Sequence, residues 1–358
     1  MKKLKRNLDD IFEKGILFIK NTKKDEKTFL VYHKDVDGLC SAAVLLRAFE
    51  NFNLKPTKIL AASNEEMEGI IKKMKDFDKA IVLDIDISYL KKELEEVGKE
   101  ILLIDHHPPR ADLNGEKILY INPRLENPKF YQPVSYLVFK IFSKSMDLED
   151  LEWVSVLGTV GDMGYEDCKD LLKTWVEVET KEDLVKTAFW KDVGMLNGLT
   201  TTIGFEKTLE LVQSFGSLTD FRESDELKKS YKKFEIEYGK FEKTFWKNAK
   251  KIEEINLVIS EVESDDRALS SFLSTNLATE HPKKIIVLMR RANDTISINA
   301  RYRGENMNIG KIMEMAAKGL NGGGGHQSAA GATIKAKNGE IFKERLIKEL
   351  MELSDKRK

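Results

Sequence analysis

Four short apolar runs near the start of the chain, at 28–32, 58–62, 80–83 and 101–104, are each separated from the next by a segment with helical periodicity. Strands alternating with helices in this way predict a mainly parallel sheet covered by helices on both faces, an α/β architecture. Another strand-like segment, ILYIN at 118–122, follows them, and apolar helical stretches come at 134–142 and 151–160.

A second pattern begins at Leu227, where apolar positions recur at Tyr231, Phe234, Tyr238, Phe241, Phe245, Ala249, Ile252 and Ile255. Steps of three and four residues predict one long amphipathic helix, which at about 1.5 Å per residue would span roughly 40 Å. A coiled-coil stalk is the alternative, but sustained heptads carry a more uniform Leu/Ile seam. Strand-like runs then resume near 255, 285, 296 and 333, and GEIFKERLIKELMEL closes the chain as a helix. The expected organisation is an α/β domain over 1–165, a helical region with the long connecting helix over 166–255, and a smaller α/β domain over 256–358.

The formal net charge is −1, so the molecule has no basic field of the kind that coats nucleic acid. Any polyanionic substrate must be held by local charge, which a metal centre and a few placed Arg and Lys residues could supply. Cys40 and Cys168 lie in no zinc-binding spacing, which argues against a disulfide or zinc scaffold. The opening MKKLKRNLDDIF turns charged again at once, and no apolar stretch reaches the roughly 18 residues of a membrane span. A cytoplasmic protein with no membrane partner is expected.

Chemistry-bearing residues follow the strands. HKDVDG places His33, Asp35 and Asp37 directly after the first apolar run; alternate residues of extended chain point the same way, and Gly38 lets the backbone turn into a helix. LDID ends the third run with Asp84, and a carboxylate at the end of a buried strand is costly unless it is paired or bound to a cation. Helix capping is the plainer reading there, with Ser88 the better cap. IDHHPP puts Asp105, His106 and His107 after the fourth run, imidazole and carboxylate donors together, which suits Mn²⁺, Zn²⁺ or Fe. These clusters share the carboxyl edge of the sheet, where open α/β folds bind ligands. GTVGD adds Asp162, either a helix end or the remaining carboxylate of a two-metal site, whose ions sit about 3.5–4 Å apart. Last, NGGGGHQSAAG at 321–331 sets His326 beside four glycines whose backbone N–H groups could approach an anion. A flexible linker is the ordinary alternative for such a run. His281, outside every motif, is expected to be solvated.

The ordered set HKDVDG, LDID, IDHHPP, GTVGD and GGGGHQSAAG resembles the DHH phosphoesterases, in the branch whose C-terminal domain carries a GGGH element, and most of all the compact RecJ-like and nanoRNase-like nucleases of archaea. The resemblance implies an N-terminal DHH domain with two divalent ions, manganese first and magnesium as the alternative, and a DHH-associated substrate-binding domain. It assigns His33, Asp35 and Asp84 to one ion and Asp37, Asp84, His106 and Asp162 to the other, with Asp84 bridging. Asp105 would orient the histidines, His107 would contact the scissile phosphate, and Arg301, Gly323, Gly324, Gly325 and His326 would hold substrate phosphate. Asp86 is an extra carboxylate to which the pattern gives no role. The implied activity is exonucleolytic cleavage of single-stranded DNA or RNA, with replication or repair proteins as partners. The alternatives are a nanoRNase or a linear or cyclic dinucleotide phosphodiesterase, and a non-catalytic replication subunit that keeps the fold. Arg290, Arg291 and Arg303 join Arg301 as candidate nucleic-acid contacts.

Overall fold

The computed structural model describes residues 8–264, 267–304 and 306–355, so the first seven residues of the charged N-terminal stretch lie outside it. The chain divides into two compact units, Met1–Tyr231 and Lys232–Lys358.

The first unit is built on a five-stranded sheet of β1 (Thr28–His33), β2 (Lys58–Ala62), β3 (Lys79–Leu83), β4 (Glu100–Ile104) and β5 (Ile118–Ile121), in the order β2-β1-β3-β4-β5. Every pairing is parallel. Parallel sheets are covered on both faces, which is why β1 and β3 carry apolar residues without alternation: Phe29 to Tyr32 and Ala80 to Leu83 are all buried. One face packs on Met67, Ile70, Leu94 and Val97 from the helices Met67–Met74 and Lys91–Val97. Helices Val36–Asn51, Val134–Phe142 and Glu152–Gly161 pack on one another, each burying most of its length. Five further helices follow, Lys169–Leu172, Ala188–Ile203, Phe205–Ser214, Leu218–Glu223 and Asp225–Asn248, and the division between the two units falls inside the last of them.

The long helix is shorter than its apolar spacing suggests. It ends at Asn248, and Lys250–Ile252 forms β6, paired antiparallel with β7 (Leu257–Glu263). Ala249, Ile252 and Ile255 continue the helical spacing by coincidence. Backbone pairing to β7 is available only in extended chain, and it outweighs the periodicity.

The second unit contains a six-stranded sheet in the order β10-β11-β9-β8-β7-β6, with β8 (Ile285–Ala292), β9 (Thr295–Arg301), β10 (Gly323–Gly325) and β11 (Ala329–Lys335). Only β7 and β8 run parallel. Its core joins Val287, Met289, Ile298 and Ile334 of the sheet to Ile312 and Met313 of helix Ile309–Ala317 and Phe342 and Leu346 of helix Gly339–Asp355.

Candidate metal centre

In the order β2-β1-β3-β4-β5, strand order reverses between β1 and β3, and such a switch point opens a crevice at the carboxyl ends of the strands. The register fills that crevice. Tyr32 pairs with Leu83 and Leu83 with Ile104, so His33, Asp84 and Asp105 each stand one residue past a matched pair. Neighbouring strands are about 4.8 Å apart, which gathers residues distant in sequence onto one edge.

Each side chain is held locally. Asp35 caps the helix Val36–Asn51, accepting the Gly38 N–H at 2.8 Å, and its other oxygen lies 2.6 Å from His33 Nδ1. Gly38 is obligatory at this turn, since a Cβ there would meet the His33 carbonyl oxygen at 2.4 Å. Asp37 is buried and accepts the N–H groups of Val134 (2.6 Å) and Ser135 (3.0 Å), the start of helix Val134–Phe142, together with the Ser135 hydroxyl. Asp84 sits in the left-handed region at φ 62° and donates its N–H to Ile104 O, extending the β3–β4 ladder.

The side chains converge as two groups, His33–Asp35–Asp84 and Asp37–His106–Asp162, within each of which one donor atom per residue lies within 4.8 Å of the others. Asp84 stands between them. Its Oδ2 is 3.8 Å from His33 Nδ1 and its Oδ1 3.3 Å from His106 Nε2, while Asp162 Oδ2 is 3.5 Å from the same His106 nitrogen. Asp84 Oδ1 is fully buried and has no hydrogen-bond partner among the described residues. A buried carboxylate oxygen left in that condition is costly, and a cation relieves it.

The electrostatics agree. Burial, with Asp162 and Asp35 adding to it, pushes the Asp37 carboxyl up to about 8. Asp84 is held well above the usual carboxylate range, first by burial and then by Asp35, Asp37, Asp162 and Asp105. Burial above all drives His106 down to about 4, so it is a neutral imidazole able to donate a lone pair. Asp35 goes the other way: burial opposes its charge, but the neighbouring His33 and the Gly38 N–H outweigh burial and hold it below the ordinary range. Carboxylates crowded in this manner, with neutral imidazole among them, suit borderline divalent ions such as Mn²⁺.

Asp105 and His107 form a separate pair. Asp105 Oδ1 accepts from His107 Nδ1 at 2.7 Å, and Oδ2 accepts from the Tyr120 hydroxyl (3.2 Å) and Asn122 Nδ2 (3.4 Å). Burial opposes a charge on His107, yet Asp105 prevails and raises it to about 9, leaving a cationic, partly exposed imidazolium at the edge of the site. His107 also groups with Asp84 and His106 as a possible donor set, but its pairing with Asp105 favours the protonated form.

Some expectations need correction. Ser88 caps no helix: its N–H and hydroxyl both go to Asp86 Oδ1, and its oxygen accepts the Arg110 N–H. Ser88, held by Asp86, therefore ties the loop after β3 to the segment after His107. In the second unit the glycine run is a strand rather than a loose loop, Gly323–Gly325 pairing with Ala330–Ala332. Glycine is needed there for close packing as much as for any anion. At Gly325, φ is 144°, and a Cβ would meet Ala329 O at 2.6 Å. His326 donates its N–H to Ala329 O. Arg301 ends β9 opposite Ala329, its guanidinium donating to Ala330 O at 3.3 Å and Ser271 Oγ at 3.3 Å, so Arg301, the glycines and His326 adjoin on one sheet end. Arg290 is buried against Ser264 O and presents no surface to nucleic acid, whereas Arg291 is partly exposed and paired with Glu261. His281 is exposed, its ring edge-on to Trp246, and both cysteines are free and buried.

Residues 27–156 match the DHH family N-terminal domain, and residues 254–353 match the DHHA1 domain. The chain belongs to the DHH family. An uncharacterized protein of Methanocaldococcus jannaschii, MJ0988, is 25% identical over 358 residues, covering 94% of each chain. A second, MJ0831, is 27% identical over 150 residues, a match spanning 38% of this chain and 33% of that protein. Manganese-bound RecJ from Thermus thermophilus superposes with a TM-score of 0.70 at 14% identity, over 96% of this chain and 55% of RecJ. CDC45 from Entamoeba histolytica superposes with a TM-score of 0.61 at 12% identity, over 96% of this chain and 99% of CDC45. A pGpG-specific phosphodiesterase, PggH from Vibrio cholerae, gives 0.52 at 16%, over 91% and 99%. The DHH chain shares the fold of all three. Among its described residues no helix is long and apolar enough to cross a membrane.

The sequence motifs supplied both three-residue groups, but not the residues that hold Asp37, Asp162 and Asp105. Ser135, Tyr131, Tyr120 and Asn122 contact Asp37, Asp162 and Asp105, yet they sit in no acidic or histidine-rich pattern. The only signal is their place between the IDHHPP segment and the next apolar helix.

Proposed function

We propose that this DHH protein is a two-metal phosphodiesterase that degrades single-stranded DNA or RNA from an end, as a RecJ-like exonuclease. The observation that carries the reading is the position of Asp84, with one carboxylate oxygen toward His33 and the other, buried and lacking a hydrogen bond, toward His106. A carboxylate placed in this way between two donor groups is what a bridging ligand requires. His33, Asp35 and Asp84 would hold one ion; Asp37, Asp84, His106 and Asp162 would hold the other. When bound, divalent ions neutralise charge developing on a phosphoryl oxygen and acidify water.

The protein's own groups do the rest. His107, held protonated by Asp105, offers an N–H to a phosphate oxygen at the open edge of the site. Asp105 is itself fixed by Tyr120 and Asn122, so the imidazolium is oriented before substrate arrives. Arg301, the glycines of β10 and His326 are proposed to hold a substrate phosphate, which supplies orientation rather than bond cleavage.

Retention of all six donor residues favours an enzyme over a non-catalytic subunit. The test is hydrolysis of an end-labelled 20-nucleotide DNA, the same RNA and a dinucleotide, each with Mn²⁺, Mg²⁺ or chelator. Metal-dependent shortening of the single strands is the expected result. Turnover of the dinucleotide alone would transfer the assignment to a dinucleotide phosphodiesterase, and no turnover of any substrate would refute it.

A further inference from the structure

The second donor group, Asp37–His106–Asp162, draws its residues from three separate segments, and one short stretch touches all three. In YQPVS at 131–135, the N–H groups of Val134 and Ser135 and the Ser135 hydroxyl go to Asp37. The Tyr131 hydroxyl lies 2.6 Å from Asp162 Oδ2 and 2.9 Å from the Asp162 backbone oxygen. The Tyr131 ring lies against His106, centroids 5.2 Å apart.

The stretch is itself anchored. The Tyr131 N–H donates to Asp167 Oδ2 at 2.8 Å and Gln132 Nε2 to Asp167 O at 3.0 Å. Close approach also demands glycine on the facing segments. A Cβ on Gly158 would meet Ser135 Oγ at 2.3 Å, and one on Gly164 would meet Pro133 Cδ at 2.6 Å. Asp162 lies between those glycines at the end of helix Glu152–Gly161, where its side chain would otherwise turn freely, being partly exposed.

We propose that Tyr131 is the positioning residue of the second ion, its hydroxyl fixing the rotation of the Asp162 carboxylate so that an oxygen faces His106 and Asp37. The inference rests on the two-metal reading above. Hydrogen-bonding partners behind a metal ligand usually contribute about 10–100-fold in affinity, and one phenol on one carboxylate falls in that range. Asp162 and His106 belong to the second donor group and not to His33–Asp35–Asp84, so the change should fall on the second site.

The experiment is calorimetric titration of the full chain with Mn²⁺, wild type against Tyr131→Phe. Phenylalanine keeps the ring against His106 and removes only the hydroxyl. The expected result is two ions in wild type, and in Tyr131→Phe one site unchanged with the other weakened about 10–100-fold. Nuclease activity should follow: the Mn²⁺ concentration for half-maximal rate rises by the same factor, while the rate at saturating Mn²⁺ returns close to wild type. In an Asp162→Asn background, Tyr131→Phe should have no further effect on Mn²⁺ affinity, which separates positioning from a general loss of packing. Two ions bound with wild-type affinities by Tyr131→Phe, or equal weakening of both sites, would overturn the proposal. A wild-type chain that binds no Mn²⁺ would overturn the two-metal reading, and this inference with it.

Discussion

Replacing Asp84 with Asn should move stability and activity in opposite directions. Asp84 has φ 62°, a region that Asn tolerates and Ala does not, so Asn removes the charge without disturbing the backbone. In the metal-free protein Asp84 is buried amid Asp35, Asp37, Asp105 and Asp162, with one oxygen lacking any hydrogen bond. Asn keeps a polar atom there but removes the ionisable carboxyl from among the four others, a relief worth about 1–3 kcal/mol. At roughly 2–4 °C per kcal/mol for a unit of this size, the metal-free melting temperature should rise by about 2–12 °C. Removing the bridging charge should abolish tight Mn²⁺ binding and lower turnover by at least about a thousandfold, close to 4 kcal/mol of transition-state stabilisation. Scanning calorimetry with and without Mn²⁺, beside a nuclease assay, reads both effects. Wild type should gain about 2.7 kcal/mol at a hundred times the dissociation constant, a gain absent from the variant. A metal-free variant that melts below wild type, or one that keeps its Mn²⁺-induced gain and its activity, would refute the reasoning.

Gly38→Ala forces a Cβ to 2.4 Å from the His33 carbonyl oxygen, and it should cost about 1–3 kcal/mol and weaken Mn²⁺ binding, measurable by thermal melting and titration. The metal-free protein should lose stability as pH rises from about 6.5 to 8. Asp37 is raised to about 8 and His107 to about 9, so across that window both hold protons that the unfolded chain has released. Each contributes up to about 1.4 kcal/mol per pH unit, and saturating Mn²⁺ should flatten the Asp37 part of the slope; a melting temperature that climbs over this range would contradict the assignment. Arg301→Ala should weaken single-strand binding about tenfold with Mn²⁺ content unchanged, whereas loss of the metal would show that the residue is misplaced.

Much of the first unit was legible in the sequence because β1, β3 and β4 are buried on both faces. The runs at 28–32, 58–62, 80–83 and 101–104 match β1 to β4 within a residue, and the motifs that follow them fall at one sheet edge by the logic of parallel strands. Donor chemistry is local as well: His33, Asp35, Asp84 and His106 are recognisable because each adjoins a strand end. Where elements were misread, a tertiary contact prevailed over local pattern. Helical spacing ran on through Ala249 and Ile252, but pairing with β7 made Lys250–Ile252 a strand. A flexible linker was the alternative for the four glycines, and pairing with β11 makes three of them an edge strand instead. Ser88 had the chemistry of a helix cap and bonds to Asp86 instead. The sequence by itself determined which residues could bind a cation and which strand ends would carry them, because both depend on residue type and short-range periodicity. The family resemblance already implied a place for Asp84 between the two groups, but only the tertiary structure decided that a tyrosine and a helix start from the 131–135 stretch contact the second. Those relations join residues some 30 to 100 positions apart, and nothing in the spacing of a chain encodes which distant backbone N–H will meet which carboxylate.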